Sequence, residues 1–113
     1  MSQADAIARL RALVDGPRDG ALLRITLANA LLAANERSAA IEQARHALRF
    51  DADYSAAWKL LGRLLGEAGD VQAAREAYRN GIAAAARRGD KQAEKEMTVF
   101  EKRLARSEAG GLG

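Results

Sequence analysis

Few side chains in this sequence are suited to acid–base or nucleophilic chemistry. Cysteine is absent and His46 is the only histidine, so thiolate nucleophiles and thiolate metal sites are excluded and one imidazole remains as a general base. His46 falls on the predicted outer helix of a hairpin, beside Arg45 and Arg49, where an ordinary surface histidine is the simpler interpretation. We therefore expect a protein that is not an enzyme and has no metal site and no cofactor.

Carboxylate pairs offer a second route to acid–base catalysis. Glu94 with Glu101 is one candidate pair, and Asp51 with Asp53 is the other. Both pairs fall on helix surfaces or at helix ends, where solvent and backbone N–H groups stabilise a carboxylate. No glycine-rich segment follows a strand-like segment, so a nucleotide-binding loop is not predicted either.

Basic side chains carry the remaining chemistry, which is the binding of anions. The formal net charge is +3, from 18 Lys and Arg against 15 Asp and Glu, and the densest cluster is Arg87 and Arg88 with Lys91 nearby. Nucleic-acid-binding proteins usually have a concentrated basic stripe or stacking aromatic residues, so nucleic acid is disfavoured as a partner. Lys59 and Arg63 lie one helical turn apart and are predicted to reach one carboxylate. Ordinary solvated charges are the alternative, which the sequence leaves open.

The composition predicts an all-α protein, and breaks in the apolar pattern place its helices. Good helix formers dominate, two Phe, two Tyr and one Trp are the only aromatic residues, and proline occurs once. Segments of apolar periodicity end at turn residues such as those at 16–17 and 69–70. The loops are short, so successive helices should pack antiparallel. The predicted helices span residues 3–14, 21–34, 38–50, 55–68, 71–88 and 91–106.

No segment has the features of a targeting signal or a membrane span. The start of the sequence has an acid at Asp5 and lacks the uninterrupted apolar core of a secretory signal. No stretch approaches the roughly 20 apolar residues that a membrane span needs. We therefore expect a soluble, cytoplasmic protein with no membrane partner.

The sequence repeats itself at a spacing of 34 residues. Two series of identical residues follow this spacing, and they are Ala6, Ala40 and Ala74, and Arg11, Arg45 and Arg79. Further identities pair residues of the segment 27–45 with residues of the segment 61–79. A fixed period with a helix–turn–helix unit is typical of solenoid proteins.

Residues 55–88 resemble the tetratricopeptide repeat (TPR), which has residues of defined size at a set of characteristic positions. In this segment those positions hold Trp58, Leu61, Gly62, Leu65, Ala74, Tyr78, Gly81 and Ala86. The segment 21–54 matches less well because it lacks the aromatic residues, and it holds Arg24, Leu27, Ala28, Leu31, Ala40, Ala44, Ala47 and Ala52. The resemblance implies an all-α fold, a right-handed α-α superhelix of antiparallel helix hairpins (the TPR solenoid), with about six helices.

The repeats divide residues 1–106, which are predicted to form a single TPR domain. The parts are a half repeat at 3–18, repeats at 21–54 and 55–88, and a capping helix at 90–106. The capping helix combines one apolar stripe, which includes Met97, Phe100 and Leu104, with one charged face. Residues 107–113 contain three glycines and little that would anchor them, so a disordered tail is predicted there.

In the TPR family the first helix of each repeat lines a concave groove, and the resemblance carries that role to two sets of residues here. The first set is Leu22, Ile25, Asn29, Leu32 and Ala33. The second set is Ala56, Lys59, Arg63, Gly66 and Glu67. The resemblance implies a non-catalytic protein–protein interaction scaffold that binds a peptide or protein segment in this groove. The charges of Lys59 and Arg63 favour an acidic or C-terminal segment with apolar residues.

Three further hypotheses on partners follow from the same residues. Relatives that bind chaperone tails use a carboxylate clamp, but Ile25 and Leu60 stand where that clamp has Lys and Asn, so this ligand is not expected. A short stack has exposed ends, so self-association into a homo-oligomer is the second class of function. Binding of nucleic acid by the helical repeat is the third.

Overall fold

The fold consists of six α-helices and, within the part that the structure describes, no strand. A computed structural model describes residues 2–112. The helices are α1 (Gln3–Arg11), α2 (Ala21–Ala33), α3 (Arg37–Phe50), α4 (Ser55–Glu67), α5 (Val71–Arg88) and α6 (Lys91–Leu112). The prediction of an all-α protein with about six helices is therefore confirmed.

Short polar residues and left-handed backbone positions define the helix ends. Ser2 and Asp5 form a reciprocal capping box at the start of α1. Asp70 accepts a hydrogen bond from the N–H of Ala73 at 3.2 Å and so caps α5. Gly89, with a φ of 70°, ends α5 in the left-handed region that glycine adopts without strain.

The chain divides into two compact units, Met1–Ala52 and Asp53–Gly113. In the first unit α2 and α3 form a helix hairpin, and α1 packs on α2. Leu27 and Leu31 are fully buried on α2, while α3 buries small residues, of which Ala40 and Ala44 are two. Alanines on the facing side of α3 leave room for the leucines of α2, so the two helices approach closely.

In the second unit α4 and α5 form a hairpin, and α6 packs on α5 and also contacts α4. Its core is a cluster of Tyr78, Ala85 and Met97, with Trp58 and other apolar side chains packed against it. A Cβ atom added to Gly62 would lie 2.5 Å from the Tyr78 ring. The absent side chain therefore allows α4 and α5 to meet at this point.

Two predicted boundaries differ from the structure by more than one residue. The first helix was expected to run to residue 14 but ends at Arg11. After it the backbone N–H of Asp15, a residue with a φ of 66°, donates to the Asp19 carboxylate at 2.8 Å, which holds a turn instead of a further helical turn.

The predicted disordered tail is also wrong for the residues that the structure describes. The capping helix was expected to end at residue 106, but α6 continues to Leu112, and Gly113 lies outside the described residues. Glu108 anchors this end, because Arg75 Nη1 donates to its Oε1 at 2.6 Å and Gln72 also donates to it. That residues 1–106 form a single domain stays a prediction.

Candidate functional site

The exposed face of α4 carries the second set of predicted binding residues. Ala56, Lys59, Arg63 and Glu67 follow a spacing of three to four residues, so they lie along one side of the helix. The opposite side is buried and holds Ala57, Leu60, Leu61, Leu64 and Leu65. Amphipathicity therefore fixes which side chains α4 presents. Four of the five predicted residues of this helix lie on that side, and the fifth, Gly66, is half-buried.

Two open cavities lie between this face of α4 and α6. The cavity near the C-terminal end of α4, which we call the Gly66 cavity, has a volume of about 260 Å³. It is lined by Gly62, Arg63, Gly66, Glu67, Tyr78, Phe100, Arg103 and Leu104. The cavity near the N-terminal end, the Lys59 cavity, has a volume of about 230 Å³. It is lined by Ser55, Ala56, Lys59, Asp90, Gln92, Ala93 and Glu96.

The Gly66 cavity has an aromatic floor and a charged rim. The rings of Tyr78 and Phe100 are tilted by 46°, with their centroids 5.6 Å apart. Burial raises the pKa of the Tyr78 hydroxyl above its ordinary value, while the charge of Arg63 acts in the opposite direction. The Arg103 guanidinium carbon lies 6.0 Å from the centroid of Phe100. This cavity can accept an apolar group beside positive charge.

Both predicted cations of α4 already contact carboxylates of the chain. Lys59 Nζ lies 3.1 Å from Glu96 Oε2 of α6, and Arg63 Nε lies 3.0 Å from Glu67 Oε2, one turn along α4. The sequence predicted that the two cations would share one ligand carboxylate, but the structure pairs each of them with a different internal one. The side chains of Lys59 and Glu96 are 41% and 38% exposed. Solvated pairs of this kind contribute only about 0–1 kcal/mol, so they exchange partners readily.

The first set of predicted binding residues, on α2, is less uniform. Leu22 is 70% exposed, whereas Ile25 is 7% exposed and turned into the core, so its role in binding stays a prediction that its burial does not favour. Asn29 is exposed, but its Nδ2 donates to the backbone oxygen of Ile25 at 3.1 Å. Leu32 is half-buried and Ala33 is exposed. The accessible surface of α2 is consequently uncharged, in contrast with that of α4.

Arg24 forms a buried polar network that the sequence analysis did not anticipate. It is 5% exposed, and its Nε and Nη2 donate to both carboxylate oxygens of Asp19 at 2.9 and 2.8 Å. Its Nη1 donates to Gln43 Oε1 at 3.0 Å, and its guanidinium carbon lies 5.8 Å from the centroid of Phe50. The hydrogen bond from Arg24, followed by that from the N–H of Asp15, holds the pKa of the Asp19 carboxyl far below its usual range.

The sequence did hold a signal for this network. Arg24 is the single charged residue of an otherwise apolar helix, at the position where the other repeat has Trp58. A charge that is buried at such a position needs partners. Because the partners lie in a turn and on a neighbouring helix, the network stabilises the first unit and does not form an open binding site.

A second group of ion pairs holds α6 on α5. Arg75 Nε donates to Glu101 Oε1 at 2.9 Å, and Arg79 Nη2 lies 3.4 Å from the same oxygen. Glu108, and secondly Glu101, raise the pKa of the Arg75 guanidinium above its ordinary value through hydrogen bonds. These contacts fix the helix that forms one side of both cavities.

Within residues 2–112 no group of His, Asp and Glu side chains could hold a metal ion. His46 is half-buried, and its Nδ1 lies 3.3 Å from Arg49 Nη1. Among the same residues, no helix combines the length and the apolar character that crossing a bilayer requires.

Helix hairpins with small residues at their contacts, repeated at a fixed spacing, define the chain as an α-helical repeat protein. No protein-family model matches it. The chain is, however, 48% identical over 89 residues to the TPR repeat-containing protein PA0015 of Pseudomonas aeruginosa, a match that covers 79% of this chain and 85% of that protein. The chain therefore belongs to the TPR family.

Solved structures support the same assignment. Protein BPP2914 of Bordetella parapertussis is 45% identical, with a TM-score of 0.77 over 91% of this chain and 90% of that one. The Sgt2 TPR domain of Aspergillus fumigatus is 30% identical, with a TM-score of 0.76 over 98% of this chain and 72% of that one. MamA, at 24% identity and a TM-score of 0.70, covers 92% of this chain and 59% of its own and shows the fold alone. The predicted TPR solenoid is confirmed, and domains of this type generally mediate protein–protein interaction.

Proposed function

We propose that this chain is a non-catalytic scaffold that binds a peptide or protein segment with acidic and apolar residues. The binding site is the α4–α6 surface, which we define as the exposed sides of α4 and α6 around the Gly66 and Lys59 cavities. One observation carries the proposal: both cavities border the face of α4 that holds Lys59 and Arg63. The site places positive charge beside apolar depressions, and this arrangement complements an acidic segment with apolar side chains.

The internal ion pairs are compatible with this role. Lys59 is 41% exposed and Arg63 is 60% exposed, so water already screens both cations from their internal partners. A ligand carboxylate replaces Glu96 or Glu67 at little cost, because the displaced carboxylate returns to solvent. Glu96 and Glu67 then act as internal competitors, which favours ligands that bring more than one carboxylate or an additional apolar contact.

The test is recovery of a partner from a native lysate, in the cytoplasmic fraction where we propose that the protein acts, followed by calorimetric titration. The double variant Lys59→Glu/Arg63→Glu is expected to lose the partner, because two attractive charges become repulsive. Arg37→Glu/Arg45→Glu is the matched control, since it changes the net charge equally on exposed residues of α3. A partner that survives the α4 reversal, or that is lost equally in the control, contradicts the proposal. Circular dichroism checks that all variants remain folded.

Self-association through α2 is a second candidate function, favoured by the exposed and uncharged surface around Leu22. A leucine that is 70% exposed on a helix without exposed charge is suited to a contact with another apolar surface. Sedimentation at two protein concentrations tests this candidate. A dimer that Leu22→Glu abolishes supports it, and a monomer at both concentrations rules it out.

Nucleic acid is not proposed as a partner. Arg87, in the densest basic cluster, donates to Asp53 through both Nε and Nη2, and this contact partly neutralises its charge. We therefore expect no binding to a polyanion at low salt.

A further inference from the structure

Two glycines of α4 line the Gly66 cavity, and only one of them is explained by packing. A Cβ atom added to Gly62 would lie within 2.5 to 2.7 Å of three Tyr78 ring atoms, so any larger residue there displaces the ring. A Cβ atom added to Gly66 has Ala74 Cβ as its nearest neighbour, at 3.8 Å, which is an ordinary van der Waals contact. The backbone of Gly66 also lies outside the left-handed region. Neither sterics nor backbone conformation therefore requires glycine at position 66.

A helix normally has a better helix former at such a position. Glycine is the weakest helix former after proline, and alanine is the strongest. What glycine provides at position 66 is open space, because a side chain there would stand at the wall of the cavity, which Phe100 and Tyr78 also line. The cavity volume of about 260 Å³ is below the roughly 300–1,000 Å³ of pockets for drug-sized ligands, so it suits a single side chain.

The rim of the Gly66 cavity has positive charge available to a ligand. Among residues 2–112, Arg103 has no carboxylate partner and lies over the ring of Phe100. Arg63 contacts Glu67 through Nε alone, which leaves its two terminal nitrogens without a carboxylate in the same part of the chain. Charge complementarity therefore selects a ligand that brings a carboxylate to the same cavity that takes its apolar side chain.

We propose that Gly66 is the specificity-determining residue of the α4–α6 surface, because its missing side chain admits one apolar side chain of an extended acidic peptide. In an extended peptide, residues two positions apart point to the same side, about 6.6 Å from each other. A glutamate or aspartate two residues from the apolar residue of the peptide lies on the same side as that residue, and its carboxylate can bind Arg103, which also lines the cavity. This inference rests on the proposed function and adds to it the side chain that the site selects.

The probe is a short peptide of Gly and Ser that contains one leucine and one glutamate two residues after it, with both termini blocked. Binding is followed by chemical-shift changes of the backbone amides of the 15N-labelled protein. A contact made by two side chains should have a Kd of about 1 mM. The expected shifts lie at Gly62, Gly66 and Arg103. Replacement of the leucine by serine, or of the glutamate by glutamine, should weaken binding at least threefold.

The protein variants separate specificity from stability. Gly66→Ala should weaken probe binding severalfold while raising the melting temperature, since alanine favours the helix and fits beside Ala74. Gly66→Leu should fill the cavity and weaken binding at least tenfold. Ala83→Leu is the matched control, because it adds the same side chain to an exposed position of α5 outside the cavity and should leave binding unchanged.

Each outcome decides the inference. Unchanged binding in Gly66→Leu, shifts confined to other residues, or no shift at several millimolar peptide overturns it. If the partner from the lysate is lost in Lys59→Glu/Arg63→Glu but retained in Gly66→Leu, the proposed function stands and the inference fails. If probe binding depends on Gly66 while the partner from the lysate still binds Lys59→Glu/Arg63→Glu, the inference about the Gly66 cavity stands and the proposed function fails.

Discussion

The two repeats place different residues at the same position of their first helices, and they stabilise these residues by different physics. In α2 the position holds Arg24, whose guanidinium is buried and bound by Asp19 and Gln43. In α4 it holds Trp58, which packs on the cluster of Tyr78, Ala85 and Met97. One repeat thus uses an ion pair with directed hydrogen bonds where the other uses aromatic surface.

Arg24 and Trp58 require different surroundings. Trp58 packs on apolar neighbours and uses the space that Gly81 leaves, where an added Cβ would overlap Met97 Sδ and Trp58 Cβ. Arg24 needs a carboxylate in a fixed place, and the turn before α2 provides it. The N–H groups of Asp15 and Gly20 donate to Asp19 at 2.8 and 2.9 Å and orient that carboxylate. The buried Arg24 therefore depends on the conformation of a loop.

The largest expected effect on stability is that of truncating Trp58. Trp58→Ala should lower the free energy of unfolding by about 3–5 kcal/mol, because it removes a large buried surface and leaves a cavity. Urea denaturation measures the change, and Trp58→Phe should lose less. A loss no larger than that of Leu22→Ala, which truncates an exposed side chain, would show that the tryptophan is not an anchor of the second unit.

The second largest effect on stability is expected when Arg24 is replaced. Arg24→Ala should cost roughly 3 kcal/mol, since it removes one partner of a buried ion pair and exposes the other groups to an unfilled space. Arg24→Met should cost less, because an apolar side chain of similar length fills the same volume. Arg45→Ala, on an exposed residue of α3, is the control and should change stability by about 0.5 kcal/mol or less. Equal losses for Arg24→Ala and Arg24→Met would show that the lost ion pair and hydrogen bonds, and not the filled volume, set the cost.

The pH dependence of stability should differ between the Arg24 network of α2 and Trp58 of α4. The folded-state pKa of Asp19 is depressed, so its contribution to stability is present above the unfolded pKa of about 3.9 and is lost as the pH falls through the lower folded value. The stability difference between the wild type and Asp19→Asn should therefore be largest near neutral pH and shrink below about pH 4. The difference caused by Trp58→Phe, which removes no titratable group, should not change with pH. A constant difference for Asp19→Asn would refute the assignment.

Patterns within one segment could be predicted from the sequence, and contacts across long separations could not. The resemblance to the TPR identified the side of α4 that holds Lys59 and Arg63. The repeat positions held by Gly62 and Gly81 are places where the structure brings side chains of neighbouring helices close. The partner of Lys59 lies 37 positions away on α6, and a side-chain pairing of that kind leaves no mark in local periodicity. The prediction of a disordered tail was wrong for the same reason, because the contact that anchors this segment joins Glu108 to Arg75, 33 positions away.

The smallest expected effect concerns the ion pairs between α5 and α6 in the second unit. These pairs are more accessible to solvent than the buried Arg24 network. Glu108→Gln should weaken the contact with Arg75 and speed amide hydrogen exchange at residues 107–112, with little effect on the remainder of α6. Added salt should produce a similar change in the wild type, because ions screen exposed charges. Exchange that is unchanged in Glu108→Gln would show that the helix end is held by other contacts.

The acidic residues of α6 have counter-charges on only one of the two hairpins. Glu96 and Glu101 meet Lys59 and Arg75 on the hairpin of α4 and α5. The corresponding positions of the hairpin of α2 and α3, 34 residues earlier, hold Ile25 and Ile41. A copy of α6 placed after that hairpin would bring carboxylates against isoleucines, which offer them no counter-charge. The carboxylates of α6 thus match the hairpin of α4 and α5 in charge and do not match the hairpin of α2 and α3.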